Sequence, residues 1–165
     1  MPLPIRLRPA TDVDLETLVR FGAAMALETE HRRLDRTRLR EGILNLLSDP
    51  RRGFFRVAET VRHESSHVVG QLMVTFEWSD WRNGNFWWLQ SVYVHPDQRQ
   101  QQIFRKLYEY VQSQAYLNQE PICGYRLYVE ENNHQAHQAY VNLGFQNTAY
   151  HMYEKEFSWT SPSFP

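Results

Sequence analysis

The segment "HPDQRQQQIFRKLY", from His95 to Tyr108, joins an apolar run to a helical pattern. The first turn of a helix has unpaired backbone N–H groups and the positive end of the helix dipole, which together suit a phosphate group. Arg99 and Arg105 would add positive charge there. The same residues also fit an ordinary helix start with solvated arginines, so this segment alone leaves phosphate binding open.

A second segment, "NNHQAHQAYVNLGF", has the spacing of a short helix with defined ends. Asn133 is a suitable N-cap residue, and Gly144 suits the position just after the last turn. Ala136 and Tyr140 recur between them at helical spacing. The sequence therefore predicts a capped helix that presents Tyr140 from one face.

The remaining patterns predict the elements that position these two segments. Thr11 and Asp14 form a capping-box pattern before a first helix, and a second helix fits Thr37 to Leu47. Asn83-Gly84 predicts a hairpin turn. Strands are predicted in "IRLRPAT", "GFFRVAE", "HVVGQLMVTFEW", "FWWLQSVYV" and "ICGYRLYVE", with a last strand or hairpin in "FQNTAYHMYEKEF". This order predicts an α/β sandwich with a mixed sheet.

Composition limits the class of protein. The chain has 165 residues, of which 42% are hydrophobic, so one domain with a sizeable core is expected. We assign that domain to residues 1–158 and a loose tail to 159–165. A net charge of -1 favours neither nucleic acid nor an anionic membrane as partner. The single cysteine, Cys123, excludes an internal disulfide framework and suits the cytoplasm.

Two further patterns are more simply explained by structure than by chemistry. "HESSH", from His63 to His67, has the letters of a zinc-protease motif, but its flanks are strand patterns and the motif requires a helix. We therefore predict a hairpin loop and no metal site. The tryptophans of "WSDWRNGNFWW" fit core packing and a cleft wall, and the arginines of "HRRLDRTRLR" fit either a solvated helical face or a substrate-facing surface.

The two segments together resemble the GNAT superfamily of acyl-CoA-dependent N-acetyltransferases. "SVYVHPDQRQQQIF" resembles that family's strand ending in V-x-V, followed by H-P and an [RQ]-x-x-G-x-[GA] loop. "NNHQAHQAYVNLGF" matches its N-x-x-A-x-x-x-Y-x-x-x-G-F segment. The resemblance implies a single-domain GNAT-like sandwich, with a mixed, mostly antiparallel central sheet and helices on both faces.

The resemblance implies a cofactor site for acetyl-CoA as acyl donor. The backbone of the strand end would bind the pantetheine arm, backbone N–H groups of the loop would bind the pyrophosphate, and Asn133 would bond the pantetheine region. Tyr140 would protonate the departing thiolate as a general acid, although a core aromatic is the alternative. The implied cofactor-binding residues are Val92, Tyr93, Val94, Arg99, Gln100, Gln101, Gln102, Ile103, Phe104, Arg105, Asn133 and Tyr140.

The acceptor implied by the resemblance is a primary amine, on a small molecule or a peptide amino terminus, which attacks the acetyl carbonyl directly. Some relatives carry a glutamate on the strand before V-x-V, where this chain has Gln90. Glu77 is our candidate general base, with Glu28 and Glu30 as substitutes, and Trp78 and Gln90 as further acceptor-site candidates. Acidic residues near the cleft favour a cationic amine. Relatives are often dimers, which implies a homodimer.

The chain departs from the family pattern in the loop. The two family glycines fall on Gln102 and Phe104. We expect Gln102 to be tolerated because a helix start does not itself need a positive φ, whereas Phe104 either points into the core or narrows the phosphate channel. These departures leave a second hypothesis open, a non-catalytic module that binds or senses an acyl-CoA.

Overall fold

A five-stranded sheet organises the described residues, which are 4–62, 65–118 and 120–155 of a computed structural model. The strands lie in chain order; the first four pair antiparallel, and the fifth runs parallel to the fourth. This confirms the predicted mixed, mostly antiparallel sheet. The strands are β1 (Ile5–Pro9), β2 (Gly53–Arg62), β3 (Ser65–Ser79), β4 (Gly84–Val94) and β5 (Ile122–Arg126).

Helices cover both faces of the sheet, as predicted. The helices are α1 (Leu15–Glu30), α2 (Arg36–Ser48), α3 (Ile103–Tyr116) and α4 (His134–Asn142). Helices α1 and α2 share an apolar cluster with β2 on one face, while α3 buries its residues against β3 and β4 on the other. The end of α4 packs through Leu143 against the cluster under α3. The element order therefore follows the sequence prediction up to α4.

Helix α3 is fixed by one apolar stripe. Ile103, Leu107 and Val111 lie four residues apart, so they share a face, and each is at most 2% exposed. They pack against the buried side chains of β3 and β4. Burying three such side chains contributes roughly 1.5–3 kcal/mol each. This stripe sets where the loop before α3 must end.

Strand β4 parts from β5 halfway along its length. The two strands pair only from Asn85 to Trp88, because β5 ends at Arg126 opposite Trp88. Further along, β4 has a bulge: Leu72 of β3 stands opposite two residues of β4, and one of them, Ser91, has φ of 48°. The second half of β4 therefore has no neighbouring strand on its β5 side within the described residues.

Two sequence predictions change in the structure. Within residues 145–155 there is no strand, so the predicted last strand or hairpin is wrong for the described part of "FQNTAYHMYEKEF". Its apolar side chains at Tyr150, Met152 and Tyr153 are exposed, and a strand without a paired edge is not stable.

The hairpin loop predicted for "HESSH" is shorter than expected, because residues 65–67 already belong to β3. A strand is not the helix that the zinc motif needs, and residues 63 and 64 lie outside the described residues. The predicted tail, 159–165, also lies outside them.

A buried ion cluster ties the first strand to the sheet. Arg8 donates to both oxygens of Asp14, at 2.7 and 2.9 Å, and to Glu59 at 2.9 Å. Glu59 is 1% exposed and also pairs with Arg6. Burial raises the pKa of the Asp14 carboxyl, but hydrogen bonds from Arg8 and Thr11 outweigh burial, so the pKa lies below its ordinary value. Arg8 is therefore the residue that joins the two buried carboxylates.

We expect Arg8→Met to lower the free energy of unfolding at pH 7 by about 3 kcal/mol, because the buried carboxylate of Asp14 loses its ion-pair partner and Glu59 keeps only Arg6. A depressed folded-state pKa gives stability that is present above the unfolded pKa, roughly 3.9, and is lost as the pH falls through the folded pKa. Urea unfolding from pH 7 to 3 should therefore show a loss in the wild type that is smaller in Arg8→Met. Arg51→Met removes only an exposed pair with Asp49 and is the control. Equal stability of the two variants would refute this role for Arg8.

Candidate functional site

A cavity of about 790 Å³ lies where β4 has left β5. Its walls come from the end of α1, the end of β4, the loop before α3 and the face of α4. Volumes of 300–1,000 Å³ are typical of small-molecule sites. Of the predicted cofactor residues, those that line it are Val92, Tyr93, Val94, Arg99, Gln100, Gln102, Ile103, Phe104, Arg105, Asn133 and Tyr140. Gln101 does not line it.

The loop before α3 keeps a backbone shape that favours glycine. Gln100 has φ of 64° and Gln102 has φ of 58°, both in the left-handed region. A non-glycine residue there costs roughly 1–2 kcal/mol. Our expectation that Gln102 needs no positive φ is therefore wrong: Gln102 stands just before Ile103 in the conformation that a family glycine would adopt. The loop therefore has a left-handed turn at Gln102, although this residue stands at a position where the family pattern has glycine.

Phe104 both packs on the core and lines the cavity. Its ring meets the ring of Tyr140 edge to face, with 5.5 Å between the centroids and an angle of 83°. It also contacts the apolar cluster under α3. The core position is therefore present, and whether Phe104 also narrows a phosphate channel stays a prediction. The bulk of Phe104 sets the position of Tyr140.

Tyr140 and Asn133 are positioned by the cap of α4. The Asn133 side-chain oxygen accepts from the Ala136 backbone N–H at 3.1 Å, which confirms the predicted N-cap. The amide N–H groups of Asn133 and the second lone pair of its side-chain oxygen are then left for a ligand. The Tyr140 hydroxyl has no hydrogen-bond partner in the part of the chain described, and burial raises its pKa. Tyr140 therefore remains protonated at neutral pH.

Glu28 of α1 is held at the edge of the cavity by two partners. Arg99 donates to it at 2.6 Å, and the Tyr93 hydroxyl donates at 2.8 Å. Burial raises the pKa of the Glu28 carboxyl, but these hydrogen bonds outweigh it and leave the pKa below its ordinary value. Burial and the bond to Glu28 raise the pKa of Tyr93 to about 12. Glu28 is therefore a weak base that fixes Arg99 at the cavity.

The other acceptor-site candidates lie outside this cavity. Glu77 pairs with Arg126 of β5 and accepts from the Trp88 indole at 2.6 Å. Gln90 donates to the Thr75 hydroxyl, and its side-chain oxygen accepts from the Tyr128 hydroxyl at 3.3 Å. Glu30 and Trp78 are exposed on α1 and β3. Their predicted roles stay predictions.

Several cavity residues escaped the sequence reasoning. Met25 and Thr29 lie one helical turn apart on the inner side of α1, and His31 follows α1 with φ of 53°. The helical spacing of α1 was a usable signal for the first two. No sequence signal marks His31, because its place depends on how α1 ends.

In residues 4–62, 65–118 and 120–155, no three or more His, Cys, Asp or Glu side chains are grouped to hold a metal ion, and none of the helices is both long and apolar enough to span a membrane.

The chain belongs to the acetyltransferase (GNAT) family, whose sequence profile matches residues 19–145. It is similar to a "possible acetyltransferase" from Clostridium difficile, with 41% identity and a TM-score of 0.82 over 94% of this chain and 99% of that one. A Trypanosoma brucei acetyltransferase shares the fold, with 16% identity and a TM-score of 0.68 over 93% and 100%. So does a "predicted acetyltransferase with acetyl-CoA" from Clostridium acetobutylicum, with 15% identity and a TM-score of 0.73 over 92% and 96%. The comparison with curated proteins gives no match.

We expect Gln102→Gly to be more stable to urea than Gln102→Ala by about 1 kcal/mol, because glycine adopts the left-handed region without a steric cost. The same two substitutions at Gln112, inside α3, should give the opposite order, since glycine weakens a helix interior. The four unfolding curves decide the point. If alanine is the more stable residue at both positions, the loop does not require the left-handed turn.

Proposed function

We propose that the protein transfers an acetyl group from acetyl-CoA to a primary amine. The observation that carries the proposal is that the loop before α3, the end of β4 and Tyr140 of α4 line one cavity. Acetyl-CoA supplies the thioester. The start of α3 suits the pyrophosphate, and the unpaired edge of β4 suits the amide-bearing pantetheine arm. The Tyr140 hydroxyl, which has no other partner among the described residues, suits the sulfur.

Different groups of the chain bind different parts of acetyl-CoA. Backbone N–H groups from Gln102 to Phe104 bind the pyrophosphate, at the positive end of the α3 dipole. Arg105, which pairs with Glu109 at 3.0 Å, lies one turn into α3 and adds positive charge. The amide N–H groups of Asn133 and the backbone of Val92 to Val94 bind the pantetheine arm. Arg99 is fixed by Glu28 and adds charge from the α1 side.

Tyr140 is the general acid of the proposed reaction. The amine nitrogen forms a bond to the acetyl carbon, the bond from that carbon to sulfur breaks, and the Tyr140 hydroxyl gives its proton to the sulfur. The amine loses a proton to a base. The hydroxyl suits this role because it has no other partner among the described residues and a tyrosine carries its proton at neutral pH.

Glu77 remains our candidate for the base. Glu28 lines the donor cavity, where Arg99 and Tyr93 hold its carboxylate, and the carboxylate of Glu77 is likewise held by Arg126 and Trp88. Glu77 has an ion pair with Arg126 on the face of the sheet that carries Gln90 and Trp88. We propose that Glu77 takes the proton of the amine through water from that face.

A second candidate function is binding of an acyl-CoA without turnover. It is favoured by the larger side chains at Gln102 and Phe104 and by Gln90 at the position where some relatives have a glutamate. Calorimetry with CoA and with acetyl-CoA separates the two functions. Binding without turnover would favour this second function.

We expect free thiol to form when the protein is incubated with acetyl-CoA and a panel of primary amines. The panel should contain cationic, neutral and anionic amines and one peptide with a free amino terminus. Thiol release is followed by a colorimetric reagent, with acetyl-CoA alone as the blank. If folded protein releases no thiol above this blank with any amine, the proposed transfer is refuted.

We expect Tyr140→Phe to lower kcat on the order of 10²-fold, the scale of a lost general acid. The ring and its contact with Phe104 are kept, so the affinity for acetyl-CoA should remain within about twofold by calorimetry. Tyr108→Phe is a matched control, because Tyr108 is a buried tyrosine on α3 that does not line the cavity. An unchanged kcat in Tyr140→Phe would remove Tyr140 as the acid.

A further inference from the structure

A second cavity, of about 510 Å³, lies on the other face of the sheet under α1 and α2. Its apolar wall comes from both helices and from the sheet, and includes Leu39, Ile43, Phe55 and Met73. Gly42, in the middle of α2, also lines it, and a Cβ placed there meets no atom within 4 Å. Open space therefore lies beside Gly42, and we call this second cavity the apolar chamber.

One buried polar side chain in the wall of this chamber lacks a partner. Gln71 is 0% exposed, and its amide nitrogen donates to the Ser91 backbone oxygen at 3.1 Å. Its side-chain oxygen has no hydrogen-bond partner among the described residues. Buried acceptors are normally satisfied, so this oxygen is a place where a ligand N–H would add a missing hydrogen bond.

The second cavity adjoins the first at two points along the chain. Ser91 lines the second cavity and Val92 the first, while Arg32 lines the second and His31 the first. Consecutive residues thus line the two cavities, so the chamber lies next to the space proposed for the thioester. An amine in the chamber would approach the acetyl group from the side opposite to the donor.

Positive charge surrounds the solvent side of the chamber. Arg32, Arg33 and Arg38 line it and are exposed. Asp35 also lines it, but its carboxylate accepts from the backbone N–H groups of Thr37 and Arg38 as the N-cap of α2. Neither Arg33 nor Arg38 has an ion pair with a described residue. The guanidinium groups of Arg33 and Arg38 thus lie beside one carboxylate that already caps α2.

We propose that this chamber is the acceptor site and that it takes a primary amine with an apolar body and a carboxylate. The apolar body fills the chamber, the amine N–H groups lie toward Gln71 and Ser91, and the carboxylate binds Arg33 and Arg38. This deepens the proposed function and rests on it. It also opposes the expectation from the sequence that acidic residues favour a cationic amine.

The test compares three amines that share the 2-phenylethylamine body and carry a carboxylate, a carboxamide or a hydrogen beside the amine. L-phenylalanine is measured against L-phenylalaninamide and 2-phenylethylamine, each with saturating acetyl-CoA. The carboxylate form should have a kcat/KM about tenfold or more above either neutral-tailed form, as a charge-assisted contact supplies. If the amide or 2-phenylethylamine is acetylated as well as L-phenylalanine, the inference is overturned while the proposed function stands.

Variants locate the effect in the chamber. Arg33→Gln with Arg38→Gln should raise KM for L-phenylalanine about tenfold and leave KM for acetyl-CoA unchanged. Arg36→Gln, on the same segment but outside the chamber lining, is the matched control. Gly42→Leu should also raise KM for L-phenylalanine by filling the chamber. Gly42→Ala measures the effect of the lost glycine alone, and neither change is expected to unfold α2, since both residues favour helix more than glycine does.

Equilibrium binding keeps the inference testable if turnover is absent. Should no amine release thiol, the proposed function fails, and the two amino compounds are then titrated into the protein with CoA by calorimetry. Tighter binding of L-phenylalanine than of its amide, lost in the double arginine variant, would support the anionic acceptor site. Equal binding of the two, or a preference that survives the double variant, would overturn it.

Discussion

The bulge at Ser91 is the constraint on which both cavities depend. Before the bulge, Trp87 and Leu89 face the cluster under α3, so strict alternation would turn Tyr93 to the same face. The extra residue reverses the alternation: Tyr93 instead contacts Phe21 of α1, at 5.0 Å between ring centroids. Val92 can then pack toward α3. Because of this one residue with a positive φ, the end of β4 contributes side chains to both faces of the sheet.

The strained loop before α3 is stabilised by the helix that follows it. Gln100 and Gln102 both occupy the left-handed region, at a combined cost of roughly 2–4 kcal/mol if each costs 1–2. The apolar stripe of α3 offsets this cost, because Ile103 is buried directly after Gln102. If Ile103 moved to relax the turn, the whole stripe would lose its contacts. The core therefore determines the direction of the backbone N–H groups at the helix start.

What the sequence could predict was local or periodic. The cap at Asn133, the Asn83-Gly84 turn and the helical spacing of α3 each depend on residues close along the chain, and each is present. The bulge could not be predicted, because "FWWLQSVYV" is apolar on both faces and shows no break in alternation. The left-handed glutamines could not be predicted either, since glutamine carries no signal for a positive φ. Their conformation comes from tertiary packing.

Two of the three carboxylates that the sequence suggested for an acceptor are neutralised within the fold. Glu28 is held by Arg99, and Glu77 by Arg126. A paired carboxylate attracts a second cation weakly, because the field of its partner cancels most of its own at the distance of a ligand. Arg33 and Arg38 have no such partner in the part of the chain described. The sequence has nearly equal numbers of acidic and basic residues. In the fold, however, those two carboxylates are paired, whereas these two arginines remain available to bind a ligand.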